Sequence, residues 1–330
     1  MRLFTAAALI AGIALLLWLL HETDLDQALA IVTRIGWGGA ALVILIFALG
    51  FLFEVIAWAL TFPRPLDAVW IIRLWCVNMV GEALSVVMPF GALGGEPFKA
   101  MLLNRHYGVP YGESAASLLI VQTMFALVQA PFVLVGLVLA LQSNLLSPAV
   151  ETAMTIAAIG LALFMGLMLI AIHRRWLKAL TDRLQHSSRA GYLSAAIAGL
   201  EEVEQRIFGF MRQDPRRFAA ASVGFFLNWL MGAAEVWAIL ALIGHPLSFW
   251  DCWIIEAAIV LIRSATFFVP AHIGSLEAAT VYVTAALTGS PDIGLALALI
   301  RRARELFWSA IGLAIGSWYG WRRTPAPDAC

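Results

Sequence analysis

Charge is what this sequence has least of. Only 13% of its 330 residues are Asp, Glu, Lys or Arg, against 62% hydrophobic, and the formal charges cancel to zero. A soluble domain carries about 25% charged residues, so an ordinary soluble globular fold is excluded. Zero net charge gives nucleic acid nothing to bind. Cysteine is also scarce: Cys76, Cys252 and Cys330 lie far apart and form neither a disulfide framework nor a zinc pattern. The chain lacks a phosphate-binding loop, a nucleophile elbow and a metal-spaced histidine pair, and Gly91, Gly94 and Gly95 do not fit GxGxxG. No cofactor is expected, and enzyme chemistry has little to stand on.

What is present in quantity is long apolar sequence. Residues 3–20, 37–62, 111–141, 150–173, 218–243 and 293–319 are each long and apolar enough to read as a membrane crossing. The first is read as a retained signal anchor, because HETDLDQ follows it without a small-residue cleavage site. Lys and Arg gather on one set of loops, nine of them between positions 174 and 217. By the positive-inside rule both termini then lie in the cytoplasm. Within that cytoplasmic amphipathic segment, about 174–217, Leu193, Ile197, Leu200, Val203, Ile207 and Met211 recur at helical spacing.

Two apolar pieces, 68–88 and 249–269, run into a proline and glycines instead of ending in a polar loop. After the first comes PFGALGGEPFKA, and after the second PAHIGSLEAA. The offset from Pro89 to Glu96 equals that from Pro270 to Glu277. Charge at the bilayer centre is costly, so full crossings by 91–108, with Glu96, Lys99, Arg105 and His106, are disfavoured. The spacing predicts two re-entrant hairpins, about 68–108 and 249–289, one entering from each face. Non-helical backbone at depth needs a protein-lined or wet cavity, and paired interrupted segments point to a substrate site. The expected fold is all-α and polytopic: a single domain over 1–330 with six transmembrane helices plus two re-entrant helical hairpins in inverted-repeat relation.

Glu54, Glu235, Glu256, Arg263, Arg301, Arg302, Arg304 and Glu305 all fall inside apolar runs. Glu256 and Arg263 share a helix face, and so do Arg301 and Glu305 at i,i+4. Arg302 points elsewhere. Arg301 to Glu305 lies about 12–18 Å into its helix, near mid-depth. Arginine forks match phosphate and carboxylate groups, so an anionic amphiphile suits such a path, while internal pairing that only holds the bundle together is the plainer reading. His272 sits in the second turn, where a structural role is the default.

Asn78-x-x-Gly81-Glu82, PFGALGGEPFKAMLLNR, PAHIGSLEAA and ALALIRRARELFWSAIGL together resemble the flippase-like membrane domain of the lysylphosphatidylglycerol synthases and of many stand-alone bacterial proteins. The hopanoid-biosynthesis-associated membrane proteins are one branch. The resemblance implies a lipid-translocating module in the bacterial inner membrane, with membrane lipids as partners. Carried over by position, it marks Asn78, Pro89, Gly94, Gly95 and Glu96 in the first turn, Pro270, Gly274 and Glu277 in the second, and Arg301 or Arg302 late in the chain. Glu82, Lys99, Gln122, Arg263, His272 and Glu305 complete the expected headgroup path. Val121 and Gln122 stand where the family often has Glu-Arg, which leans away from an aminoacylated phospholipid and toward the hopanoid-associated branch. No soluble aminoacyl-transferase domain is expected within these 330 residues. Glu96 and Glu277 are the expected proton-linked gates. The competing readings are a scaffold that holds a lipid-modifying enzyme at the membrane and a small-solute transporter.

Overall fold

A computed structural model describes residues 30–63, 65–87, 95–142, 209–266, 269 and 272–321, with scattered helical positions between 152 and 163. Every regular element among the described residues is helical. The helices are α1 (Gly36–Leu60), α2 (Ala68–Val87), α3 (Glu96–Tyr107), α4 (Tyr111–Gln142), α5 (Pro215–Leu242), α6 (Phe249–Ala265), α7 (Ser275–Thr288) and α8 (Pro291–Trp321). Pro89, Gly94, Pro270, the run 3–20 and nearly all of 150–208 lie outside the described residues.

Local chemistry sets the boundaries. Helix α2 opens with the Trp70 N–H donating to Asp67 Oδ1 at 2.9 Å, and α5 with Arg217 N–H donating to the Asp214 side chain, followed by Pro215 in the first turn. Ser248 caps α6 by accepting from Asp251 N–H while its hydroxyl donates to the Asp251 carboxylate at 2.7 Å. Helices α3 and α7 end alike, on left-handed glycines Gly108 (φ 67) and Gly289 (φ 76), with a proline two residues beyond. An L side chain is strained at such φ, and proline then blocks continuation of the old helix while opening the next.

Helices α1, α4 and α5, together with 68–86 of α2, are long and apolar enough to cross a membrane. Three of these match the expected crossings 37–62, 111–141 and 218–243. The fourth, α2, was expected as half of a hairpin, yet its 20 residues span about 30 Å. Its successor α3 has 12 residues, about 18 Å, and is too short to cross. Helix α8 contains the expected crossing 293–319, with its charges at mid-length.

Helix α1 lies along α5, α4 packs on α6, and α8 packs on α2 and α7. Small residues let the backbones approach. A Cβ on Gly136 of α4 would run into Ala257 of α6, and one on Gly312 of α8 into the Met79 carbonyl of α2. One apolar core surrounds Trp58, Phe62, Leu74, Leu103 and Phe225, and another surrounds Val236, Ile239, Ile255 and Leu297. Phe132, Trp229 and Trp253 stack in a third. Large apolar side chains including Leu45, Ile72, Leu119, Val223 and Leu306 face outward. Such large apolar side chains on the outside suit a hydrocarbon surrounding.

Candidate functional site

Helix α8 brings Arg301, Arg302, Arg304 and Glu305 into the middle of the bundle, where three other helices supply carboxylates. Arg301 forks onto Glu256 of α6, with Nη1 donating to Oε2 at 2.6 Å and Nη2 to Oε1 at 3.2 Å. Its Nη2 also lies 3.7 Å from Glu235 of α5. Arg304 Nε stands 2.9 Å from Glu235 Oε1, an ion pair whose angle falls short of a hydrogen bond. The Arg304 guanidinium sits 4.1 Å above the Phe47 ring of α1, a cation–π contact. Glu235 and Glu256 are 2% and 4% exposed. Removing a carboxylate from water at such depth is unfavourable unless a cation and hydrogen bonds replace the water; Arg301 supplies both to Glu256, while Glu235 has, among the described residues, the two guanidinium charges alone.

Arg302 turns the other way. Its Nε donates to Glu277 Oε1 at 2.8 Å, its Nη2 reaches the same oxygen, and its Nη1 donates to Glu305 Oε2 at 2.7 Å. Glu277 also accepts from the Gly274 N–H at 2.9 Å, at the positive end of α7, where an anion is favoured. Thus Glu277 closes the turn and fixes Arg302 together. His272 (φ 49) is tied within that turn, Nδ1 lying 3.1 Å from Thr266 Oγ1.

The second charged group lies on α1, α2 and α3. Lys99 is 3% exposed and its Nζ contacts Glu82 Oε1 at 2.9 Å and Glu96 Oε1 at 2.8 Å. Its stem lies where a Gly81 side chain would be, and Gly95 sits against the Gly81 carbonyl with its N–H donating to Ser85 Oγ at 3.1 Å. The two glycines bring α3 hard against α2, and that approach buries the lysine. One helix away, Asn78 Nδ2 donates to Glu54 Oε1 at 3.0 Å.

Between the two groups is a cavity of about 290 Å³ walled by Glu54, Glu82, Lys99, Glu235, Glu256, Arg301 and Arg304, with Phe47, Phe125, Trp229 and Trp308. That is the space of roughly ten waters, room for a headgroup and not for a whole lipid. Arg263, Arg301, Arg304 and Glu305 also wall a smaller void beside Glu277. The side chains of Gln122, Asn228 and Arg263 line the cavity without a hydrogen bond or ion pair to any described residue. The indole N–H groups of Trp229 and Trp308 likewise have no described partner. The described residues hold no cluster of three metal-ligating side chains.

The structure thus gathers Asn78, Glu82, Lys99, Gln122, Arg263, Arg301 and Glu305 at one cavity. Glu96, Gly95, Glu277, Arg302, Gly274 and His272 stand behind its walls as partners and turn residues. The pairing expected along single helices is corrected. Arg301 pairs with Glu256 and not with Glu305, which goes to Arg302 at i,i+3; Arg263, read with Glu256, pairs with no described residue. Spacing along one helix shows only partners on that helix, whereas the arginines of α8 reach carboxylates on α5, α6 and α7. Left out of the expected path were Glu54, Glu235, Glu256 and Arg304. A signal for two of them was available: Glu54 precedes Glu96 by as many residues as Glu235 precedes Glu277.

Apolar helices around a charged internal cavity define a multi-pass membrane protein. Residues 4–312 match the model of the lysylphosphatidylglycerol synthase TM region, and the chain belongs to that family. That membership ties the protein to lipid metabolism or translocation. Compared with curated proteins and with solved structures, the chain matches none.

Proposed function

We propose that the protein is a flippase-like lipid translocase of the bacterial inner membrane. It moves an amphiphilic lipid, a phospholipid or a hopanoid, between leaflets, and both termini lie in the cytoplasm. The observation that carries this reading is the headgroup-sized cavity lined by acidic and basic side chains inside an apolar exterior. A polar headgroup crossing the bilayer needs such a site, because the hydrocarbon offers it no hydrogen bonds. Arg263, Gln122 and Asn228, with the indole N–H groups of Trp229 and Trp308, are donors not already engaged by described neighbours, so they meet the headgroup oxygens. Arg301, held by two glutamates, is a fixed post that sets the electrostatics of the wall.

Two halves in inverted-repeat relation, with six crossings and two re-entrant hairpins, complete the proposal. In its support, Glu54 and Glu235, Glu96 and Glu277, Gly108 and Gly289, and Pro110 and Pro291 recur at one constant interval. The packing is reciprocal as well: α4 of the first half lies on α6 of the second, and α8 of the second on α2 of the first. Gly50 of α1 meets Met231 of α5, its own counterpart at that interval. Such a repeat gives a transporter two equivalent gates around one central site.

The test is leaflet scrambling in proteoliposomes with headgroup-labelled phospholipids and a hopanoid-type lipid. Arg301→Ala and Glu277→Gln each remove a charge-assisted contact and are expected to slow movement about ten- to a hundredfold in a protein that still inserts. No movement of any lipid by folded wild-type protein would sink the translocase and favour the scaffold.

A further inference from the structure

Three carboxylates, Glu54, Glu82 and Glu96, share one ammonium, Lys99. Lys99 is committed to two of them, at 2.9 and 2.8 Å. The third, Glu54, receives only the Asn78 amide among the described residues. Its counterpart Glu235 has Arg304 at 2.9 Å and Arg301 at 3.7 Å. One position of the repeat is thus compensated twice and the other not at all.

Among the described residues, no element packed on α1 makes up the difference. Helix α2 brings Asn78 and another acid, Glu82. Behind it, α3 brings Lys99 already paired with Glu96. Helix α4 offers the neutral Gln122, and α5 the neutral Asn228 with Glu235. Arg304 of α8 is engaged by Glu235 and stacked on Phe47. Crowded carboxylates short of a cation cannot all ionise, and one of them keeps a proton. Glu82 is the least suited to that role, because its side chain is 52% exposed and holds the Lys99 ammonium at 2.9 Å. Glu96 has the Lys99 ammonium directly upon it. Glu54 is left.

Resting on the translocase reading for its link to transport, we propose that Glu54 is a proton-binding site of the cavity. It is protonated while Lys99 is held by Glu82 and Glu96, and it releases that proton when Lys99 turns to it. Asn78 donates to Oε1, so the proton sits on Oε2. On release it passes to cavity water, the carboxylate remains on Glu54, and Lys99 keeps its charge throughout. Glu82, half out in solvent, is the partner that lets Lys99 go. The gate expected at Glu96 and Glu277 therefore moves to Glu54: both of those glutamates are clamped by a cation, and Glu54 is clamped by none among the described residues.

Infrared spectroscopy of the full chain in phosphatidylglycerol nanodiscs, where no lipid amine is present, reads the carboxyl directly. A protonated-carboxyl C=O stretch is expected in the wild type at neutral pH, absent in Glu54→Gln and retained in Glu82→Gln. No such band in the wild type, or the same band in Glu54→Gln, overturns the proposal whatever transport does. If Glu54→Gln does not fold, Asn78→Leu is read instead. It removes the hydrogen bond to the same carboxyl and shifts the band, and an unshifted band overturns the assignment. In proteoliposomes, wild-type lipid movement is expected to change with an imposed pH gradient and Glu54→Gln movement to be indifferent to it. A mutant that keeps the wild-type pH response overturns the coupling. Wild-type protein that moves no lipid ends the translocase reading instead, and leaves the spectroscopic result standing alone.

Discussion

Glu256 is the residue on which the arginine cluster depends. It takes both arms of Arg301, and Gly232 of α5 makes room for it: a Cβ there would press on the Glu256 carboxylate. Truncating one member of a buried ion pair leaves the other charged and unpaired, at a cost of about 3–5 kcal/mol. Glu256→Ala is therefore expected to lower thermal stability in detergent by that much, since Glu235 remains only as a 3.7 Å neighbour of Arg301. Gly232→Ala should act in the same direction and less strongly, by pushing the carboxylate aside. In a double-mutant cycle, Glu256→Gln with Arg301→Gln should cost less than the sum of the single changes. Strict additivity would mean the fork contributes nothing. At this scale the sequence was half legible. Most charges at depth could be seen in it, because eight ionisable residues inside apolar runs stand out. Their partners could not be seen, because all but the Arg302–Glu305 pair join residues at least 17 positions apart or lie in the turn at Glu96 and Lys99.

Among the elements, the reciprocal contacts α4 on α6 and α8 on α2 bind one half of the chain to the other, and both run through a glycine. Gly136→Val and Gly312→Val place two methyl groups where Ala257 and the Met79 carbonyl already lie. Overpacking of this kind costs about 1–3 kcal/mol, and each should lower the midpoint of thermal unfolding. Gly320 in the same α8 has nothing within 4 Å, so Gly320→Ala should leave the midpoint unchanged or raise it slightly, through helix propensity of up to about 1 kcal/mol. If Gly320→Ala were as harmful as Gly312→Val, close approach would not be the reason α8 carries these glycines. Hydropathy alone placed α1, α4 and α5 to within a few residues, and the apolar piece 68–88 is nearly α2 itself. What hydropathy could not show is how closely α3 lies against α2. That follows from Gly81 and Gly95 meeting in space, a fact of packing and not of composition.

For the whole molecule, the arrangement requires two environments on opposite sides of the same helices. Helix α5 turns Asn228 to the cavity and Val223, 57% exposed, to the outside. Helix α4 does the same with Gln122 and the exposed Leu119. If the outside is lipid and the inside is water, cysteines at these places must differ in reactivity, because a thiol reacts as the thiolate and the hydrocarbon supports neither the ion nor a charged reagent. In sealed vesicles of a protein freed of Cys76, Cys252 and Cys330, Gln122→Cys and Asn228→Cys should react with a small membrane-impermeant thiol reagent. Leu119→Cys and Val223→Cys should not. The substitutions change no paired charge, so the bundle is left as it was. Modification of the outer pair and protection of the inner one would mean that the polar cavity is closed to water and that the apolar face meets solvent. The charges between α5 and α8 would then serve only to hold the bundle together. With the inner pair labelled and the outer pair silent, those same charges line a route that a hydrated headgroup can enter.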